Sequence, residues 1–173
     1  MVMEGSPLEA ARERVIELIN KTNQFNLTTR RHTWSELAAV TGNGLGRCYR
    51  LTDRFGDNGI ISVVAVARDS DDDARIDLWL MSCRVLGRKV EEAILADVAA
   101  RARALGVRRL VGEYCPTTKN ALVRELYPRL GFHEIGRSGE SMLYALPLED
   151  GRAGEGVEFI KMSERSPAAT AAG

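Results

Sequence analysis

The chain has 173 residues, 45% of them hydrophobic, which suits one domain burying a core without disulfide or metal staples. Lys plus Arg equals Asp plus Glu at 24 each, a balance that argues against nucleic acid or an anionic membrane as principal partner. Three cysteines without C-x-x-C spacing and only two histidines supply no metal set, and no signal-peptide pattern or long apolar window occurs, so a cytoplasmic chain with reduced thiols is expected.

In chain order, "PLEAARERVIELIN" (7–20) sets Leu8, Ala11, Val15, Leu18 and Ile19 on one helical face, with Ser6 as N-cap and Pro7 at the first position. The polar stretch "KTNQFNLTTRRHT" follows, and Thr33 then caps a short helix "WSELAAV" closed by Gly42. "GRCYRLTDRF" alternates as a strand, "GDNG" reads as a hairpin turn with Asp57 and Asn58 at positive φ, and "IISVVAVAR" is a strand buried on both faces. "DSDDD" (69–73) reads as a solvated hairpin tip.

"ARIDLWLMSC" is a further strand, whose alternation places Asp77, Trp79 and Met81 on one face and Ile76, Leu78 and Leu80 on the other. A helix from Val90 to Leu105 turns Val90, Ile94, Leu95, Val98 and Ala102 inward, with Gly106 as its cap. "VRRLVGEY" is a strand, and a short helix from about Lys119 is broken at Pro128 and Gly131. "HEIGR" and "SMLYALPL" close the pattern as antiparallel strands around "SGE". Residues 1–148 thus form one α/β domain with a mixed, mostly antiparallel central sheet and helices on both faces. Residues 149–173 are a tail, within which "VEFIKM" could add a strand and the last ten or so residues are expected to be disordered.

The turn "RVLGRK" connects a strand to a helix. A helix N-terminus presents unpartnered N–H groups and partial positive charge, and cations there oppose the dipole unless an anion is bound. Gly87 permits close approach, Arg84, Arg88 and Lys89 add charge, and the backbone from Leu86 to Val90 supplies donors, the makings of a pyrophosphate cradle.

This turn, the strand ending "GEY" and "NALVRELYPRLGF" together resemble the Gcn5-related N-acyltransferase (GNAT) superfamily over about residues 45–147. The resemblance implies acetyl-CoA or another acyl-CoA lying where the fourth strand splays from the fifth, its pyrophosphate on the basic turn. Met81, Cys83, Arg84, Val85, Leu86, Gly87, Arg88, Lys89, Val90, Asn120 and Tyr127 would hold it, although Lys89 stands where the superfamily has Gly or Ala. Tyr127 would protonate the departing thiolate. Upstream, "KTNQFNLTTRR", "DRFGDNGII", "WLMSCRVLGRKVE" and "EYCPTTKN" resemble the C-terminal acyltransferase-like part of FkbH-like proteins, which load glyceryl units onto an acyl carrier protein for polyketide extension. No D-x-D-x-[TV] phosphatase motif is present.

Glu113 and Asp77 are the candidate bases, and Cys83, beside a helix N-terminus and Arg84, is a candidate transient acyl acceptor. Asn23, Gln24, Phe25, Asn26, Thr28, Arg30, Arg31 and His32 form a dense polar stretch suited to substrate or carrier-protein recognition. The expected activity is acyl transfer from a CoA or carrier-protein thioester in polyketide-type metabolism. The alternative is a non-catalytic module of the same fold that holds a carrier protein or phosphopantetheine arm for a separate phosphatase. Superfamily members often pair through their last strands, so a homodimer is also expected.

Overall fold

Ile60 to Val66 is buried residue after residue, because this run lies at the centre of a sheet with helices on both faces. The computed structural model describes residues 1–149, 158 and 160–165. Its eight strands are β1 (Val2–Pro7), β2 (Leu45–Asp53), β3 (Gly56–Arg68), β4 (Asp73–Met81), β5 (Arg109–Tyr114), β6 (His133–Ser138), β7 (Ser141–Pro147) and β8 (Lys161–Glu164). They form one open sheet in the order β6-β7-β5-β4-β3-β2-β1-β8. The four α-helices are α1 (Arg12–Lys21), α2 (Trp34–Thr41), α3 (Val90–Ala104) and α4 (Leu126–Arg129). β4 and β5 are parallel, as are β1 and β8, and the other pairings are antiparallel. The mixed α/β sheet expected from the sequence is the one found.

On one face α3 buries Val90, Ile94, Leu95, Val98 and Ala102 against Val64, Val66, Ile76 and Trp79, as its periodicity predicts. On the other, Val15, Leu18 and Ile19 of α1 and Leu37 of α2 cover Cys48, Val63, Ala65, Leu78 and Leu80. Thr33 caps α2 in a complete capping box: its hydroxyl accepts from Glu36 N–H while the Glu36 carboxylate accepts from Thr33 N–H. Thr33→Ala is expected to cost about 1 kcal/mol, read as a lower urea midpoint with unchanged slope.

Several elements differ from the sequence reading. Ser6 and Pro7 do not open a helix: they end β1, whose residues pair with β2 from Val2↔Thr52 to Pro7↔Arg47, and α1 starts only at Arg12 after a 3₁₀ turn. The β2–β3 connection is Arg54–Phe55, with positive φ at Gly56 and Gly59 rather than at Asp57 and Asn58. Asp53 and Asp57 instead accept from the N–H groups of Phe55 and Gly59. The helix expected from Lys119 is split into a 3₁₀ turn at Ala121–Val123 and the four-residue α4. The acidic tip is not simply solvated, since Asp69 pairs with Arg75 and Asp73 with Arg109. The expectation of disorder in the last ten residues falls largely outside the described residues. Among the described residues no helix is long and apolar enough to cross a membrane, and no cluster of His, Cys, Asp and Glu could hold a metal ion.

The register of β4 skips one residue. Ala65 faces Leu78 and Val66 faces Ile76, so Asp77 is a bulge. Strict alternation therefore fails there: Ile76 shares the α3 face with Trp79 and Met81, while Asp77 joins Arg75, Leu78 and Leu80 on the opposite face. β4 pairs with β5 only from Asp73↔Arg109 to Ile76↔Gly112, and beyond the bulge the two strands part.

Candidate active site at the parting of β4 and β5

The gap is filled by the chain itself. Phe25 to Thr28 runs antiparallel to the open edge of β4, with a bridge between Asn26 and Leu80. Met81 N–H donates to Phe25 O at 3.1 Å and Leu27 N–H to Trp79 O at 3.4 Å, while Cys115 N–H donates to Leu27 O at 2.9 Å from the β5 side. Thr28 Oγ1 donates to Asp77 O at 2.8 Å. Phe25 is buried with its ring edge-on to Trp79 at 6.3 Å. The polar stretch that the sequence marks for substrate recognition is thus in part bridged, backbone to backbone, to the edge of β4.

Arg30 follows and bridges the two parted strands. Its Nη1 donates to Asp77 Oδ1 at 3.1 Å and its Nη2 to Glu113 Oε2 at 2.6 Å. Arg75 Nη1 donates to Asp77 Oδ1 at 2.6 Å, and His32 Nε2–H donates to Asp77 Oδ2 at 2.8 Å. Burial by itself would raise the Asp77 carboxyl, but Arg75, Arg30 and His32 hold it below the usual range. Glu113 is likewise raised by burial and lowered by more, chiefly through Arg30. Both candidate bases are therefore saturated, weakly basic carboxylates. His32 differs: its Nε2 is held by Asp77, its Nδ1 makes no hydrogen bond among the described residues, and the ring lines a groove of about 650 Å³ with Arg12, Glu13, Ile16, Arg31 and Trp34. Arg31 is spent on the C-terminal end of α1, donating to the carbonyls of Ile19 and Thr22 and to the Asn23 side chain.

On the opposite face Tyr127 sits under the gap. Its ring packs on Gly112 of β5, so closely that a Cβ there would lie 2.4 Å from it, and meets Trp79 of β4 at 6.5 Å. The Tyr127 hydroxyl is buried and faces the Glu113 backbone without a well-aligned hydrogen bond among the described residues, and burial pushes its pKa well above the ordinary value. Asn26 Nδ2 and Trp79 Nε1 are buried and without a partner among the described residues. Each such group costs roughly 1–3 kcal/mol, so the filled gap is an imperfect fit. Asn120 is committed to the fold: its Nδ2 donates to Asn26 O and Cys115 O, and its Oδ1 accepts from Thr117 N–H. It does not cap the following turn.

The basic turn keeps part of its expected character. Gly87 adopts φ +74° with open space where a Cβ would stand, and the 15-residue α3 has no side-chain cap at its N-terminus. Lys89 takes the left-handed conformation at φ 58°. Arg84 is exposed with its Nε on Ser82 Oγ, Val85 is buried, and Arg88 is paired with Asp53 at 2.6 Å. Cys83 is an exposed free thiol in a pocket of about 330 Å³ shared with Lys21, Asn23, Gln24 and Phe25. Sequence reasoning missed Arg75, which period-2 spacing from Asp77 could have flagged. Cys115 was not singled out either: its thiol donates to Glu113 Oε1 at 3.5 Å and accepts from Ser141 Oγ at 3.1 Å, and no sequence signal links those three.

The sheet parts at a β4 bulge, with a basic turn leading into α3 and a tyrosine beneath the gap, and its fold is shared by solved GNAT-family domains. Among solved structures, the GNAT domain of S. lividans PAT superposes with a TM-score of 0.64 at 17% identity, over 84% of this chain and 89% of that one. A ribosomal-protein-S18-alanine N-acetyltransferase from Escherichia coli gives 0.58 at 18% identity, over 84% and 94%. An IAA acetyltransferase from Bacillus cereus ATCC 14579 gives 0.58 at 13%, over 84% and 97%. No family model and no curated protein matches the chain. These likenesses establish the fold.

Proposed function

We propose that this chain is a cytoplasmic acyltransferase. It takes an acyl group from an acyl-CoA, acetyl-CoA included, or from an acyl-carrier-protein thioester, and passes it to an acceptor in polyketide-type metabolism. The observation that carries the reading is the His32–Asp77 pair, set at the bulge where the strands part and open to the groove beside α1 and α2. The shared fold supports the reaction class, and the FkbH-like stretches support the metabolic context.

A thioester donor supplies an activated carbonyl and a thiol leaving group. The chain's residues suit it chemically: the turn from Leu86 to Val90 offers backbone donors to a pyrophosphate, and Trp79 O and Met81 N–H match an amide-bearing arm, although both are now bonded to Leu27 and Phe25. Asp77 fixes the His32 tautomer so that Nδ1 accepts the acceptor's proton. Tyr127 keeps its proton and is the acid nearest the gap.

The test is thiol release from acetyl-CoA across a panel of amine and hydroxyl acceptors. His32→Gln is expected to lower kcat/KM about 100-fold, as loss of a general base does. Full activity in His32→Gln would remove the imidazole from the reaction. The closed gap favours a second reading, a non-catalytic module for a carrier protein or its phosphopantetheine arm. Absence of thiol release with every acceptor, together with retained binding of a loaded carrier, would select it.

A further inference from the structure

We infer that Phe25–Thr28 is a displaceable internal occupant of the donor's track, and that its departure withdraws Arg30 from Asp77 and Glu113. The inference rests on the acyltransferase reading above and names the conformational step that reading requires.

Four observations converge on it. The segment engages Trp79 O and Met81 N–H, the groups that an extended amide-bearing arm would need along the open edge of β4. Its fit is incomplete, since its own Asn26 Nδ2 and the Nε1 of Trp79, which Phe25 meets edge-on, are buried without a hydrogen-bond partner among the described residues. Its C-terminal end is strained: Thr29, a β-branched residue, holds φ at 56°, a conformation that persists only where surrounding structure enforces it. Beside its N-terminal end lies the pocket of about 330 Å³ lined by Asn23, Gln24, Phe25 and Cys83. Arg30 lies two residues beyond Thr28, so the bridge between Asp77 and Glu113 cannot stay fixed while the segment leaves. Donor binding thereby bares Glu113 on the acceptor face, while Asp77 keeps Arg75 and His32, and the two halves of the site are coupled through one short loop.

The experiment pairs calorimetric titration of the full chain with CoA, for wild type and Thr28→Val, with hydrogen exchange of the wild type with and without CoA. Thr28→Val keeps the side-chain volume and removes the bond to Asp77 O, which holds the segment in place. The expected result is about fivefold tighter CoA binding by the variant, the worth of one hydrogen bond, and faster exchange at Leu27 when CoA saturates the wild type. Equal affinities, with Leu27 exchange unchanged or slowed, would overturn the displacement and leave the acyltransferase reading standing. No CoA binding by either protein would overturn both. Should Thr28→Val fail to fold, exchange at Leu27 in the wild type decides alone.

Discussion

Arg30→Ala is expected to lower stability by about 3 kcal/mol at neutral pH and by much less in acid. Removing one partner of a buried ionic cluster typically costs ~3–5 kcal/mol, because the remaining charge is left uncompensated. Arg30 is one-third exposed, which places the effect at the low end of that range. What remains would be Asp77 and Glu113, largely buried anions on neighbouring strands, with Arg75 and His32 able to reach only Asp77. Both carboxyls sit below their ordinary range in the folded protein, so their ion pairs stabilise fully above the unfolded-state values of roughly 3.9 and 4.3. That contribution is lost as pH falls through the folded values. The variant's deficit should therefore be full at about pH 7 and close as the pH drops below ~4. Urea denaturation of both proteins across that range measures it. A deficit independent of pH would show that Arg30 acts by packing alone.

Gly112→Ala should be nearly as damaging, at about 3 kcal/mol, although it adds only one methyl group. The added Cβ would stand 2.4 Å from the Tyr127 ring, which is itself wedged among Trp79, Phe132 and Tyr144. Overpacking of a full core costs ~1–3 kcal/mol, and this contact is at the severe end because no neighbour is free to yield. Combining the change with Tyr127→Leu, which removes the ring's far edge, should recover part of the loss, with a coupling of roughly 1–2 kcal/mol. Strict additivity in that double-mutant cycle would mean that the glycine is needed for some other reason.

The repeating parts of the fold are legible because they obey a period. The inward face of α3, the doubly buried β3 and the capping box at Thr33 all follow from spacing and local hydrogen bonding. The site's details depend on pairing between distant segments, which no local pattern encodes. Asp77 changes face because β3 skips it in the register, and strict alternation cannot anticipate a skipped residue. Phe25–Thr28 bonds to β4 through backbone groups, and the alternation of "QFNLT" spans only five residues inside a polar stretch, too short to mark it as part of the sheet. Arg88 meets Asp53 across 35 positions and loses part of the charge that made the turn look like a bare anion cradle. Asp77, Glu113, Arg30 and His32 were each legible as candidates, but their union through one guanidinium was not.

β4 and β5 share four paired residues, against seven between β3 and β4 and six between β5 and β7. The sheet therefore has a seam, and Arg30 and the inserted segment stitch it where the backbone ladder has stopped. Between the central strands, backbone pairing is thinnest along the line where the candidate chemistry sits. An acyl-transfer site built on this seam can widen without dismantling either half of the sheet.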